Sequence, residues 1–161
     1  MAVSNIAIWN SPLGTAPSAW AAAFGTEINS LAAGSVAVSS VIIDNTVNLF
    51  TDAWISVSLG SVATGTGTPN LAFYLLPLNQ DGTTYGDGTA SGTVLPGGNQ
   101  YIASIDWAAS LAAAAQTGQV KVPVDIPPNK FKLAVVNNIG NALAASGNTI
   151  AIATDALNLN G

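Results

Sequence analysis

The charged side chains open to chemistry in this 161-residue chain are eight carboxylates and three lysines: Glu27, seven aspartates, and Lys121, Lys130 and Lys132. Histidine, cysteine and arginine are absent. Those three types carry most proton transfer, thiol chemistry and bidentate anion binding. A glycosidase needs two carboxyl groups flanking the scissile bond, one with a raised pKa. Asp81 and Asp87 are the closest-spaced acids, and each precedes a glycine, so both read as turn residues. A serine nucleophile has no histidine base, and no G-x-S-x-G elbow occurs. Asn79, Asp81 and Asp87 offer hard oxygens suited to calcium, but without EF-hand spacing or a following bidentate glutamate. These patterns assign no catalytic residue, no metal ligand and no cofactor.

Aromatic residues give a second kind of site. Tyr85 and Tyr101 flank a long loop, residues 79–101, that also holds Asp81 and Asp87. The four together are the candidates for loop binding, with a carbohydrate stacked on the tyrosines. Trp54 and Trp107 lie within alternating strands and read as core.

The bulk composition narrows the partners. Only 7% of residues are charged, against ~25% in an ordinary soluble domain. Apolar residues make up 49%, enough for one well-filled domain. A net charge of -5 with three lysines argues against nucleic acid and against anionic membranes. The N-terminus lacks the basic stretch of a Sec-type signal, and no window of ~20 residues is continuously apolar.

The elements that must position these residues follow from periodicity. Residues 1–25 form an aromatic-rich arm carrying Ile6, Ile8, Trp9, Trp20 and Phe24, broken by Pro12, Gly14 and Pro17. Ser18 caps a short helix through Ala19–Phe24, and the arm either folds onto its own core or docks on a neighbouring subunit. Thr26 to Gly34 reads as one or two helical turns. From Ser35 the period changes to two: strands are expected around Val36–Ile43, Val47–Leu59, Leu71–Leu76, Tyr101–Trp107, Val120–Ile126, Phe131–Asn137 and Thr149–Ala153. Leu71–Leu76 reads as buried on both faces. Ser110 to Ala115 is a helical turn or a crossover, and Pro123 places its strand at an edge or a bulge. Lys130 and Lys132 alternate on a solvated face. Residues 26–161 thus read as a single antiparallel β-sandwich, a jelly roll or an immunoglobulin-like Greek key.

The order of several motifs resembles a group of small structural virion proteins of tailed bacteriophages. The resemblance runs through Thr26–Ser35, Ile43-Asp44-Asn45, the Asp81–Tyr85 turn, Ile126–Leu133 and the closing Asn137–Gly140 and Ala142–Ile150 segments. It implies a non-enzymatic, all-β protein that decorates or cements a capsid, or belongs to the tail. Its partners would be the major capsid protein or other virion subunits, with self-assembly into a homo-oligomer such as a trimer. It would be located in the virion, assembled in the host cytoplasm. A carbohydrate-binding sandwich module is the alternative. Sparse charge suits the structural reading, because surface with few ions is cheap to bury against other subunits.

Overall fold

The computed structural model describes residues 20–47, 50–86, 94–123 and 126–155. Among them, nine strands form two antiparallel sheets. The strands are β1 (Ala21–Ala22), β2 (Val36–Val38), β3 (Ile43–Asp44), β4 (Asp52–Val62), β5 (Asn70–Pro77), β6 (Tyr101–Asp106), β7 (Ala114–Lys121), β8 (Lys130–Asn137) and β9 (Thr149–Asp155). The first sheet has the order β1-β9-β4-β7 and the second β2-β8-β5-β6, with β3 also on β8.

This order identifies the topology. Taking β2 and β3 as one interrupted strand, early strands pair with late ones in reverse: β1 with β9, β2 and β3 with β8, β4 with β7, and β5 with β6. Successive pairs alternate between the two sheets, and β9–β4 and β8–β5 join them laterally. That is a jelly roll, so of the two sandwich topologies expected from sequence the immunoglobulin-like one is excluded.

Strand periodicity builds the core. Ala53, Ile55, Val57 and Leu59 of β4 point inward, while Ser56 and Ser58 face out. From the second sheet, Leu71, Phe73 and Leu75 of β5 meet Phe131, Leu133 and Val135 of β8 in the same cluster. Phe73 and Phe131 are 0% exposed. β5 is apolar on both faces, because Ala72 and Leu76 join Val36, Ala134 and Val136 in a second, outer cluster.

Three local expectations are corrected. The stretch read as a helix, Ala19–Phe24, contains strand β1, with Ala21 opposite Ile152 and Ala22 opposite Ala151. The Ala23 amide continues the ladder to the Ile150 carbonyl at 2.8 Å, and Phe24 enters the main core. Tertiary pairing here overrides alanine's helix propensity. The sandwich therefore takes in residues 21–24, which the sequence assigned to the arm. Residues 26–35 form separate tight turns closed by Asn29–Thr26, Leu31–Ile28 and Ser35–Ala32 backbone bonds. Ser30, at φ 56, breaks any continuous right-handed helix there. Lastly, the edge strand begins in the alanine-rich stretch at Ala114 and ends at Lys121, before Pro123.

Candidate functional site

The two ends of the sandwich differ. Following the register, β4, β8 and β1 start at one end, where β5, β7 and β9 finish. We call this the near end; its connections are residues 45–51, 78–100 and 122–129.

The far end is tied shut by buried amides. Asn137 donates to the carbonyls of Leu31 and Asn141, both at 2.8 Å, and accepts from the Ile139 amide at 3.0 Å. Asn148 donates to the Ala144 carbonyl at 2.6 Å and to Asn29 Oδ1 at 3.0 Å, and accepts from the Gly60 amide at 3.1 Å. Thr64 does the same for the 107–111 connection, donating to the Ala108 carbonyl and accepting from the Leu111 amide, each at 2.7 Å.

The near end carries exposed apolar side chains beside exposed polar ones such as Gln80, Asp81 and Thr83. Among the described residues, the exposed large hydrophobic side chains are Ile42, Val47, Val94, Leu95 and Tyr101, and all five lie in or beside its connections. Val47 is 83% exposed and Leu95 53%. Two ion pairs flank this surface, Lys130–Asp44 at 3.4 Å and Lys121–Asp52 at 3.0 Å. Asn45 anchors the 45–50 loop, donating to the carbonyls of Phe50 at 2.8 Å and Pro127 at 3.0 Å.

The turn after β5 positions two of the loop residues expected from sequence. Asp81 accepts hydrogen bonds from the Thr83 and Thr84 amides, both at 2.9 Å, and from the Thr84 hydroxyl at 2.6 Å. The Thr84 hydroxyl bond, then the two amides, lower its pKa to about 2. The carboxylate is thus committed to holding the turn. Asn79 closes the same turn, donating to the Thr84 hydroxyl at 2.9 Å and the Gly86 carbonyl at 2.6 Å. Among the described residues, no three acidic side chains come together as metal ligands.

Tyr85 folds back through a bridge to Leu78 and packs on the outer apolar cluster of the second sheet. Lys132 Nζ stands 5.0 Å from its ring centroid. Tyr74, which packs on the same cluster, meets Tyr101 edge to face at a centroid separation of 5.7 Å. Tyr85 and Tyr101 therefore share the outer side of one sheet, with Tyr74 and Lys132 joining them. Sequence reasoning passed over Tyr74, whose even-numbered parity with Ala72 and Leu76 was the available signal.

Beneath Tyr101 lies a cavity of about 300 Å³ lined by Leu75, Pro77, Asn99, Gln100, Tyr101, Ile102 and Pro127. No charged side chain is among these residues. The Oε1 carbonyl of Gln100 is buried without a hydrogen-bond partner among the described residues. Gly86 presses on this wall: a Cβ there would stand 2.8 Å from Gln100 Nε2, and its φ of +60 also favours glycine.

The remaining sequence candidates are placed as follows. Phe24 is buried at 5% exposure in the main core, and Trp20 is half-buried ahead of β1. Ile6, Ile8, Trp9 and Asp87 lie outside the described residues. Trp54, expected in the core, is half-buried on the outer side of β4, while Trp107 packs on the core edge and donates to the Thr117 carbonyl at 3.3 Å.

No family model, curated protein or solved structure matches the chain.

Proposed function

We propose that this protein is a non-enzymatic structural component of a bacteriophage virion that decorates or cements the capsid through its near end. One observation carries the docking reading: all the exposed large hydrophobic side chains among the described residues gather at that end. Single exposed apolar residues are ordinary on a protein surface, but their collection at one end of the sandwich favours a protein-binding surface there. The composition supports the same reading. Among the described residues at this end, Asp44, Asp52, Lys121 and Lys130 are ion-paired and Asp81 is hydrogen-bonded within the chain, so little of their charge must be stripped of water on docking. The far end, closed by three buried polar side chains, supplies a rigid body behind the contact. The jelly roll is compatible with this role but does not carry it, because the fold serves many functions.

The test is attachment to particles stripped of this protein, followed by imaging of occupancy. Wild-type protein binds, whereas Val47→Asp combined with Leu95→Asp abolishes attachment while leaving the far-UV spectrum and melting temperature unchanged. Both positions are solvent-exposed, so the fold tolerates the substitution. Undiminished occupancy of the double variant overturns the docking surface. Deleting residues 1–19 also removes attachment if the arm grips neighbours; full occupancy after that deletion removes the arm from the mechanism.

A further inference from the structure

We infer that the free edge of β7 is a self-association surface, on which β7 of a second copy of this chain adds as an antiparallel strand. The four-stranded sheets of the two copies, each ending in β7, then join as one continuous sheet across a two-fold axis. The inference goes beyond the docking reading of the near end and stands or falls separately from it.

The ladder decides which backbone groups of β7 face outward. The Val122 amide donates to the Ala53 carbonyl at 2.8 Å, so by alternation Val120, Gly118 and Gln116 bond β4. Ala115, Thr117 and Gln119 then turn their N–H and C=O groups away from β4. The Thr117 carbonyl shows this directly, because it accepts the Trp107 indole N–H at 3.3 Å. That ring lies under the strand and not beyond its edge: a Cβ on Gly118, which faces Ile105, would stand 3.5 Å from Trp107 Cζ2. Among the described residues, the backbone of Ala115 and Gln119 has no backbone partner outside the ladder. The other edges are short or charged. β1 and β3 have two residues each, β2 has three, and the six-residue β6 ends on Asp106. β7 runs for eight residues without proline and without charge before Lys121. Natural proteins blunt long edges with charge, proline or a cover. From Ala114 to Val120 the sequence of β7 supplies neither charge nor proline, which suits it to receive a strand.

A row of outward donors and acceptors binds an extended strand, and β7 itself meets the requirement. Pairing about a two-fold sets the strand opposite its own sequence reversed. Like charges directly opposite one another destabilise such a pair, and none can arise within Ala114–Val120. Lys121 is held by Asp52 of its own chain at 3.0 Å, and the two-fold carries the two lysines to opposite ends of the contact. With Thr117 near the axis, Ala115, Thr117 and Gln119 of one copy face the same three residues of the other and exchange backbone bonds with them. Copies of a chain with net charge -5 meet with least repulsion along an uncharged edge. Antiparallel pairing points the two near ends in opposite directions, so the strand contact and the docking surface are separate.

The experiment follows the wild-type full chain by sedimentation and amide hydrogen exchange over a concentration series. The Thr117 and Gln119 amides should exchange rapidly when dilute and slow by about tenfold or more as the dimer forms. Gly118 and Val120, bonded to β4, should change far less. A mixture of isotopically labelled and unlabelled chains should show contacts between copies within residues 115–119. Thr117→Pro removes an outward donor without costing a ladder bond to β4, and should weaken dimerisation by about tenfold or more. Thr117→Lys keeps that donor but sets like charges across the axis, and should weaken it too. Ser58→Lys, on the outer face of β4, should change it little. The wild-type measurements decide the matter even where a variant fails to fold. A monomer at every concentration overturns the inference, as does a dimer whose Thr117 and Gln119 amides stay unprotected or whose contacts map to the near end.

Discussion

At the scale of single residues, Asn79 and Asp81, which sequence patterns marked for binding, are engaged in building a turn. Asp81 is the clearest case. Its carboxylate is fully exposed yet takes three donors from Thr83 and Thr84. Its pKa falls to about 2 from an ordinary 3.8. A depressed carboxylate stabilises the fold above its unfolded pKa, and that contribution is lost as pH falls toward the folded value. The turn should therefore hold at pH 4 and loosen as pH approaches 2, visible as a midpoint near 2 in the Thr84 amide resonance. A midpoint near 3.8 would mean that the carboxylate is not held. Asn137 makes the opposite kind of contribution, buried and uncharged. Asn137→Ala deprives the Leu31 and Asn141 carbonyls and the Ile139 amide of one partner each. We expect a loss of about 1–3 kcal/mol in denaturant unfolding. Asp-Gly spacing made the role of Asp81 legible beforehand. Asn137 was not, since an asparagine closing a strand looks the same in sequence whether it faces water or three backbone groups. Gln100 was equally hidden, because its burial depends on Gly86 approaching from another part of the chain.

At the scale of elements, alternation was a sound guide wherever a strand has one wet face. β4 shows it best, with aliphatic residues inward and serines outward along most of its length. Alternation misled where side chains are too small to signal a face. β1 is two alanines, and only the ladder to β9 makes them a strand. β7 begins with alanine and carries glycine at its centre, so its N-terminal half gave no strand signal. Gly118 is there for a steric reason. A Cβ at that position would lie 2.4 Å from Ile105 Cγ2 and 3.5 Å from Trp107 Cζ2, where β7 and β6 close the open side of the sandwich. Gly118→Ala should push these edge strands apart and cost about 1–3 kcal/mol, as overpacking does elsewhere. Faster hydrogen exchange should appear at Ile105 and Val120, whereas Ser58→Ala, on the outer face of β4, leaves both unchanged. Equal exchange in the two variants would show that the edge has slack.

At the scale of the whole molecule, the scarcity of charge decides what holds the fold together and how it responds to solvent. The two ion pairs resolved here are partly exposed, and such pairs contribute about 0–1 kcal/mol each. The core, by contrast, joins both sheets through fully buried Phe73, Phe131, Ile55 and Leu133. Phe131 faces the interior from β8 and also stands opposite Pro77 and Ile43 in the ladders, so its loss reaches three strands at once. Phe131→Ala should therefore cost about 3–5 kcal/mol, and Lys121→Met no more than about 1 kcal/mol. The unfolding midpoint should also be nearly flat between low and molar sodium chloride, since screening has little to act on. A midpoint that falls steeply with sodium chloride, or a Lys121→Met cost matching that of Phe131→Ala, would place the stability in electrostatics instead. The same logic governs association. A body that owes its own folding to apolar burial, and whose exposed large apolar side chains among the described residues lie at one end, is proposed to assemble by that end as well. On the proposed docking reading, association by that end should, like folding, resist weakening as sodium chloride is raised, because it rests on apolar burial and not on charge.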